Sequence, residues 1–475
     1  MARLLGRDRA YDARRLAGLV ALAQPGDGSA TPFAGIKRLL PGYCATLWRD
    51  GRLTLAQASL PSLGLGPMSP SDWAHALRYE IARATQRMTC GAKRVSVLLS
   101  GGIDSSAVLA ALINSPPGAS ERDISALTLD FDAPRSDRPY VSAIARKLGV
   151  EPVRVQPSEC AHLAGSTFVM DGMPRVWPST AGDVHLLDVA RERGTDVLLT
   201  GVGGDFYWDG ETDSLAEQAM GGRVVSAVRD AIALKGAYWQ ASPYRRVKTF
   251  VARPVFQRLV PTRMWRSFRA ARWGSGAYTP SWAGRELREV YRERLARVDA
   301  QLPVQGRSGR MRELAVSPVL SSIAEDVENI ETEVGCREEH VFLDSDLARF
   351  MASVPSHVVL HGGWLRGLVR EAFKDDWPDE IRLRADKGDF EPAFSEYMRG
   401  LRASGILPKL LEMQGLGDLG IIEPQAFRRE FEPFGAGYLG AGAWGLFWPA
   451  LAVEAFVSGL SQPRQGLPGH ARRAA

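Results

Sequence analysis

The run Val95-Ser96-Val97-Leu98-Leu99 leads directly into Ser100-Gly101-Gly102-Ile103-Asp104-Ser105-Ser106, and few folds can use such a junction. A short apolar run suits a strand buried on both faces, as in a parallel sheet. Two glycines then let the backbone approach a ligand closely and turn its N–H groups towards one point. The helix-like stretch from Ser105 to Ile113 adds the partial positive charge and unpaired donors of a helix N-terminus. With the hydroxyls of Ser100, Ser105 and Ser106, these groups suit a phosphate. Asp104 would repel a bare phosphate, but it makes sense as the holder of a magnesium ion that the phosphates share. At ordinary Ser and Gly frequencies, five such fixed positions recur on the order of once per 10⁶ starts. A plain strand–turn–helix corner with a capping serine is therefore the weaker explanation.

From Arg94 onward, strands and helices alternate. Strands are predicted at Val95 to Leu99, Ile124 to Phe131, Val153 to Val155 and Val197 to Thr200, with helices near Tyr140 to Leu148 and Val184 to Arg193. This alternation predicts an α/β fold with a doubly wound, mostly parallel sheet, whose ligands bind beyond the carboxyl ends of the strands. Residues 211–460 read as mainly helical, with no repeat. Upstream, Tyr43 to Trp48 and Leu53 to Leu55 predict a hairpin turning at Asp50-Gly51. Pro61 to Pro70 form a linker, and a helix is predicted from Ser71 to about Met88. Three regions follow: a separate short piece over 1–65, a main domain over 71–460, and a Pro/Gly/Arg-rich tail over 462–475 that reads as disordered. Within the main domain the phosphate-binding α/β part covers about 90–210 and the helical part about 211–460.

Composition narrows the setting. The 475 residues are 45% hydrophobic and 24% charged, which excludes collagenous, disulfide-scaffold and wholly disordered chains. Basic residues exceed acidic ones by 59 − 54 = 5, a small excess that only mildly favours an anionic partner. The cysteines Cys44, Cys90, Cys160 and Cys336 show no C-x-x-C spacing, which fits a reducing compartment. The charged N-terminus has no signal-peptide core. Leu439 to Leu460 is long enough to span a bilayer, but it contains Pro449 and Glu454 and reads better as a buried C-terminal helix. The expectation is a cytoplasmic protein with no membrane partner.

A second glycine-rich segment, Thr200-Gly201-Val202-Gly203-Gly204-Asp205, ends the fourth predicted strand. Its small residues would let two loops face each other across the crevice, with Asp205 sharing the metal with Asp104. S-G-G-x-D-S after an apolar strand resembles the pyrophosphatase loop of the N-type ATP pyrophosphatases. Paired with the second segment, it is similar to the synthetase domain of asparagine synthetases and their relatives, the β-lactam synthetases and lasso-peptide cyclases. Phe342-Leu343-Asp344, with Leu347 and Pro355, resembles that family's "PFLD…lP" segment. Arg384-Ala385-Asp386-Lys387-Gly388 resembles its late "R-x-K" loop. The stretch from Thr31 to Gly42 resembles the end of its N-terminal glutaminase domain, and Tyr278 to Trp282 weakly resembles a "P-x-W" element of the peptide-cyclase branch. The likeness runs, with gaps, from about 25 to 460.

The resemblance implies ATP and Mg2+ as cofactors and a reaction in which a carboxylate is adenylated, pyrophosphate leaves and an amine takes the acyl group. It implies ATP contacts from Leu98, Ser100, Gly101, Gly102, Ser105, Thr128, Thr200 and Gly201, with Asp104 and Asp205 on the metal. Lys387 would meet the phosphates and stabilise the tetrahedral oxyanion. Three departures stand out. Ala2 follows Met1 where family glutaminases carry a cysteine nucleophile. This points to a ligase without glutaminase activity and another amine donor, or to a sequence that starts late. Val202 stands where asparagine synthetases carry glutamate and β-lactam synthetases tyrosine, so a base must come from elsewhere. Glu313, Glu325, Asp326 and Glu328 are candidates, with Glu328 taken as the catalytic one, although all four also suit a solvated helix face. Glu339-His340-Val341 replaces the family's Arg, apolar residue and Pro, which alters the acceptor pocket.

The leading expectation is an AMP-forming amide ligase acting on a small-molecule or peptide carboxylate and an amine, with a homodimer left open. Within that class, a lasso-peptide or β-lactam type cyclase is the alternative. A tRNA-modifying ATP pyrophosphatase is the second class, because Arg253, Arg258, Arg263, Arg266, Arg269 and Arg272 interleave with Trp265, Phe268 and Trp273. Nucleic acid is the less favoured partner, since an amphipathic helix explains the same pattern. An ATP-binding pseudoenzyme is the third class, kept open by Val202.

Overall fold

The computed structural model describes residues 10–460 apart from 24–27, 58–65, 67, 116–121, 132–135, 171, 209–211, 236–240, 262, 266, 268–278, 302–310, 312–316, 387, 389 and 436–443. In chain order its strands are β1 (Tyr43–Leu47), β2 (Leu53–Gln57), β3 (Arg94–Leu98), β4 (Asp123–Leu129), β5 (Pro152–Val155), β6 (Val169–Met170), β7 (Met173–Pro174), β8 (Val197–Thr200) and β9 (Arg337–His340). Five of them form one parallel sheet in the order β5-β4-β3-β8-β9. The chain enters this sheet at the central strand β3, moves outward through β4 and β5, and returns to β8 and β9 on the other side. That reversal opens a crevice between the carboxyl ends of β3 and β8.

The predicted doubly wound α/β class is borne out. Successive strand residues point to opposite faces. Val95, Val97, Val197 and Leu199 join one core with the helices Pro70–Met88, Ile103–Ile113 and Arg138–Leu148. Leu127, Val155 and Leu198 join the other with the helix Thr180–Glu192 and the C-terminal helices. Local chemistry sets the helix ends. Ser69 and Asp72 close a capping box ahead of Pro70–Met88, and Pro70 sits in the first turn. Gly149, at φ 72°, ends Arg138–Leu148 in the left-handed conformation.

Two expectations need correction. The fifth strand, β9, falls inside the stretch read as helical. Arg337-Glu338-Glu339-His340 has little β propensity of its own, and it is a strand because it pairs with β8 from Val197↔Arg337 to Thr200↔His340. The first 65 residues also do not form one separate piece. The hairpin of β1 and β2 stands exposed, with the predicted turn at Gly51 (φ 83°). The helix Ala13–Val20, however, buries Leu16, Ala17 and Val20 in the main core. Tyr11 and Phe33 pack on Phe456 of the last helix at 5.3 and 5.8 Å. Apolar side chains on this segment have a ready-made face to cover, so they do not segregate.

The last helix, Trp444–Ser458, is buried among these residues, and among the described residues no helix is long and apolar enough to cross a membrane. Glu454 inside it accepts the backbone N–H groups of Gly415 and Leu416 at 3.0 and 2.9 Å. It thereby completes the start of the short helix Gln414–Asp418. Trp282 is fully buried and packs on Phe427 at 5.0 Å, so this part of the weak "P-x-W" likeness belongs to the core. Tyr278 and the tail 462–475 lie outside the described residues.

Candidate active site

The two glycine-rich segments meet at the crevice. A Cβ on Gly201 would lie 2.7 Å from Ser105 N, and one on Gly204 would lie 2.4 Å from Asp104 Cγ. Only residues without a side chain allow this approach. Gly101, at φ 64°, crosses the start of the helix Arg138–Leu148 so closely that a Cβ would stand 2.8 Å from Val141 N. Gly102 is the N-cap of Ile103–Ile113 and makes no side-chain cap bond. Gly102 thus places no side-chain acceptor over the first-turn N–H groups at the crevice. Ser105 is buried and braces the loop: it accepts the Ser100 N–H at 3.2 Å and donates to Gly102 O at 3.3 Å.

A cavity of about 1300 Å³ opens here, and its wall includes Leu98, Ser100, Gly102, Asp104, Ser105, Thr200, Gly201, Val202 and Asp205. Gly101 lies just behind the wall, with its carbonyl taken by Arg384 Nη1 at 2.9 Å. The structure does not bring Thr128 to the cavity. It is buried in β4, one register position along from Leu127, the partner of Leu98. Glu328 is exposed on the helix Pro318–Val334 and is also absent from the wall. That helix packs beside Thr180–Glu192 and β9, so its acids point elsewhere. Glu325 pairs with Arg38 at 3.2 Å and Asp326 pairs with Arg175; Glu313 lies outside the described residues.

Asp104 and Asp205 come from different loops yet share one partner. Arg366 Nη1 donates to Asp104 Oδ2 at 2.8 Å, and Nη2 donates to Asp205 Oδ1. Trp208 Nε1 donates to the other Asp104 oxygen at 3.0 Å. Two carboxylates from separate loops thus close on a single cation. That convergence fits a magnesium ion, which uses one or two carboxylates and leaves its other positions to phosphates and water. Arg366 is one of three described non-glycine residues at positive φ (57°). The left-handed conformation costs a side-chain-bearing residue about 1–2 kcal/mol.

A third segment closes the cavity. Arg384 is buried, pairs with Asp137 and lies 3.8 Å over the Tyr140 ring. Tyr140 donates to Asp386 Oδ1 at 3.0 Å, and burial together with that bond raises its pKa. Gly388 passes so near Asp137 that a Cβ would stand 2.4 Å from the carboxylate oxygens. Arg370 holds Arg384 O at 2.7 Å. Lys387 lies outside the described residues, while its neighbours Asp386 and Gly388 line the cavity. Sequence reasoning missed Asp137, Tyr140, Arg366 and Arg370, because no local pattern marks them.

Beside the second loop, Thr200 Oγ1 is hydrogen-bonded to His340 Nδ1 and accepts the Val202 N–H at 3.3 Å. Burial pushes the His340 pKa down to about 4, so the ring is neutral near pH 7. Glu338, on the same face of β9, is pushed up to about 8 by burial and then by Asp183. The Phe342-Leu343-Asp344 segment has a structural place: Asp344 caps the helix Ser345–Ser353 and bonds Arg87 Nε at 3.0 Å. In a comparison with known families, the sequence profile of asparagine synthase matches residues 76–457. No curated protein matches the chain.

Proposed function

The chain belongs to the asparagine synthase family, a family of ATP-dependent ligases, and on that premise we propose that it activates a carboxylate by adenylation. The carboxylate oxygen attacks the α-phosphorus of ATP and pyrophosphate leaves. An amine then attacks the acyl carbon, AMP leaves, and an amide bond remains. Support comes chiefly from one observation: two glycine-rich loops in van der Waals contact at the carboxyl ends of β3 and β8, with Asp104 and Asp205 turned to one point. The first-turn N–H groups of Ile103–Ile113 and the Ser100 hydroxyl receive phosphate oxygens. Leu98, Thr200 and Gly201 flank the nucleoside. Asp104 and Asp205 would hold magnesium, which offsets phosphate charge when bound. Lys387 supplies a cation to the phosphates and to the developing oxyanion.

Within this chemistry, a peptide cyclase of specialised metabolism is a second reading. The cavity, at about 1300 Å³, exceeds the roughly 300–1,000 Å³ of an ordinary small-ligand site. It leaves room for a bulky acyl substrate beside the nucleotide, next to the exposed Val202. The test is pyrophosphate release from Mg-ATP with aspartate plus ammonia, and separately with a panel of peptides, comparing the natural chain with Asp104→Ala and Lys387→Ala. Release that depends on one carboxylate class and disappears in both variants supports the proposal. Nucleotide binding with no release for any carboxylate argues against it.

A further inference from the structure

Both oxygens of Asp104 already accept a hydrogen bond. Trp208 Nε1 occupies Oδ1 and Arg366 Nη1 occupies Oδ2, while the second arm of the same guanidinium takes Asp205. The backbone of Arg366 is committed to this arrangement. It sits at φ 57°, ψ 32° as the N-cap of Gly367–Ala372. The next residue is wedged so tightly that a Cβ on Gly367 would stand 2.1 Å from His361 O. A side chain held by a locked, left-handed backbone and bonded to two carboxylates is a built feature of the site.

We propose that Arg366 is the resident counter-cation of the Asp104–Asp205 pair, which a divalent ion must displace, so that metal enters together with nucleotide and not alone. The inference rests on the proposed ligase site. A bare divalent ion arriving at this point meets a guanidinium already neutralising the oxygens it needs, and displacing that group leaves two kinds of cation in one small space. An incoming polyphosphate changes the balance, because it brings negative charge for the ion and the released guanidinium together.

Mn2+ serves as the probe, with free ion followed by electron paramagnetic resonance on the full chain, with and without a non-hydrolysable ATP analogue. The natural chain should take up little Mn2+ alone and markedly more with the analogue. Arg366→Gln should bind Mn2+ alone at least about tenfold tighter, since each of the two charge-assisted hydrogen bonds that no longer compete is worth about that factor, and adding Asp104→Asn should abolish the gain. Mn2+ bound equally well with and without analogue by the natural chain would overturn the proposal, and this arm needs no variant to fold. An Arg366→Gln chain that melts like the natural one and shows no gain would also overturn it, while normal Mn2+–analogue binding in that experiment leaves the ligase reading standing. Absence of Mn2+ binding under every condition would overturn both.

Discussion

Replacing Gly201 by alanine tests whether contact between the two loops makes the site. The new Cβ would lie 2.7 Å from Ser105 N and 3.0 Å from Asp104 C, whereas ordinary contact begins at 3.4 Å. The loops must therefore part by about 3.4 − 2.7 = 0.7 Å, and the obstacle is the backbone of a helix's first turn, which cannot rotate aside. Overpacking of this kind costs about 1–3 kcal/mol. Unfolding entropy near 2.1 cal/mol/K per residue amounts to about 1 kcal/mol/K over 475 residues, so about 2 kcal/mol lowers the melting temperature by about 2 °C. The effect on function should be larger. A 1 Å misplacement can cost about 10²-fold in rate, so pyrophosphate release should fall about tenfold to hundredfold, with weaker binding of Mg-ATP. Calorimetry and a nucleotide titration measure the two effects. Gly445→Ala is the control, since nothing lies within 4 Å of its new Cβ. A Gly201→Ala chain that melts and binds nucleotide like the natural one would refute the reasoning.

Three further predictions concern stability. His340 is neutral in the fold down to about pH 4 but titrates at 6.5 when unfolded; the unfolded chain then binds more protons, and stability falls as pH drops from 6.5 towards 4, by at most about 3 kcal/mol. Urea unfolding at pH 7 and pH 4.5 should show this loss in the natural chain and less of it in His340→Gln. Glu338 acts in the opposite sense: it stays protonated in the fold up to about pH 8 and ionises at 4.5 when unfolded, so its contribution is lost as pH rises through that window. Glu338→Gln should be the more stable chain at pH 8, by at least about 1 kcal/mol. Glu454→Leu should destabilise by about 2–4 kcal/mol in urea unfolding, because it strands the buried Leu416 N–H and the Gly415 N–H. An unchanged midpoint would show that the carboxylate is not their cap.

The legible parts of the site were those written in consecutive residues. S-G-G-x-D-S announced a strand, a turn and a helix N-terminus together, because glycine and serine at those positions answer local backbone demands. Leu98, Ser100, Gly102, Asp104, Ser105, Thr200, Gly201 and Asp205 all reach one cavity wall. Thr128 and Glu328 do not, and both were assigned without a spacing that could aim a side chain. A strand residue beside the cavity, or a helix residue on a face turned away from it, looks the same in a sequence as one that lines it.

Arg366 and β9 show where local information ends. Arg366 is an ordinary arginine in the run Trp364-Leu365-Arg366-Gly367, and only the fold carries it 161 residues along the chain to Asp205. Arg-Glu-Glu-His has no intrinsic reason to be a strand, yet an open edge on β8 makes it one. Residues close together in the chain were enough to read the α/β alternation, the glycine-rich turns after β3 and β8 and the family likeness, since periodicity and motif are local patterns. The tertiary structure alone decided which cation sits between the two aspartates, how the late loop is braced through Arg384, and where the N-terminal helix goes. Those choices depend on which distant surfaces must be covered and which buried charges must be paired, and such demands exist only once the chain has closed on itself.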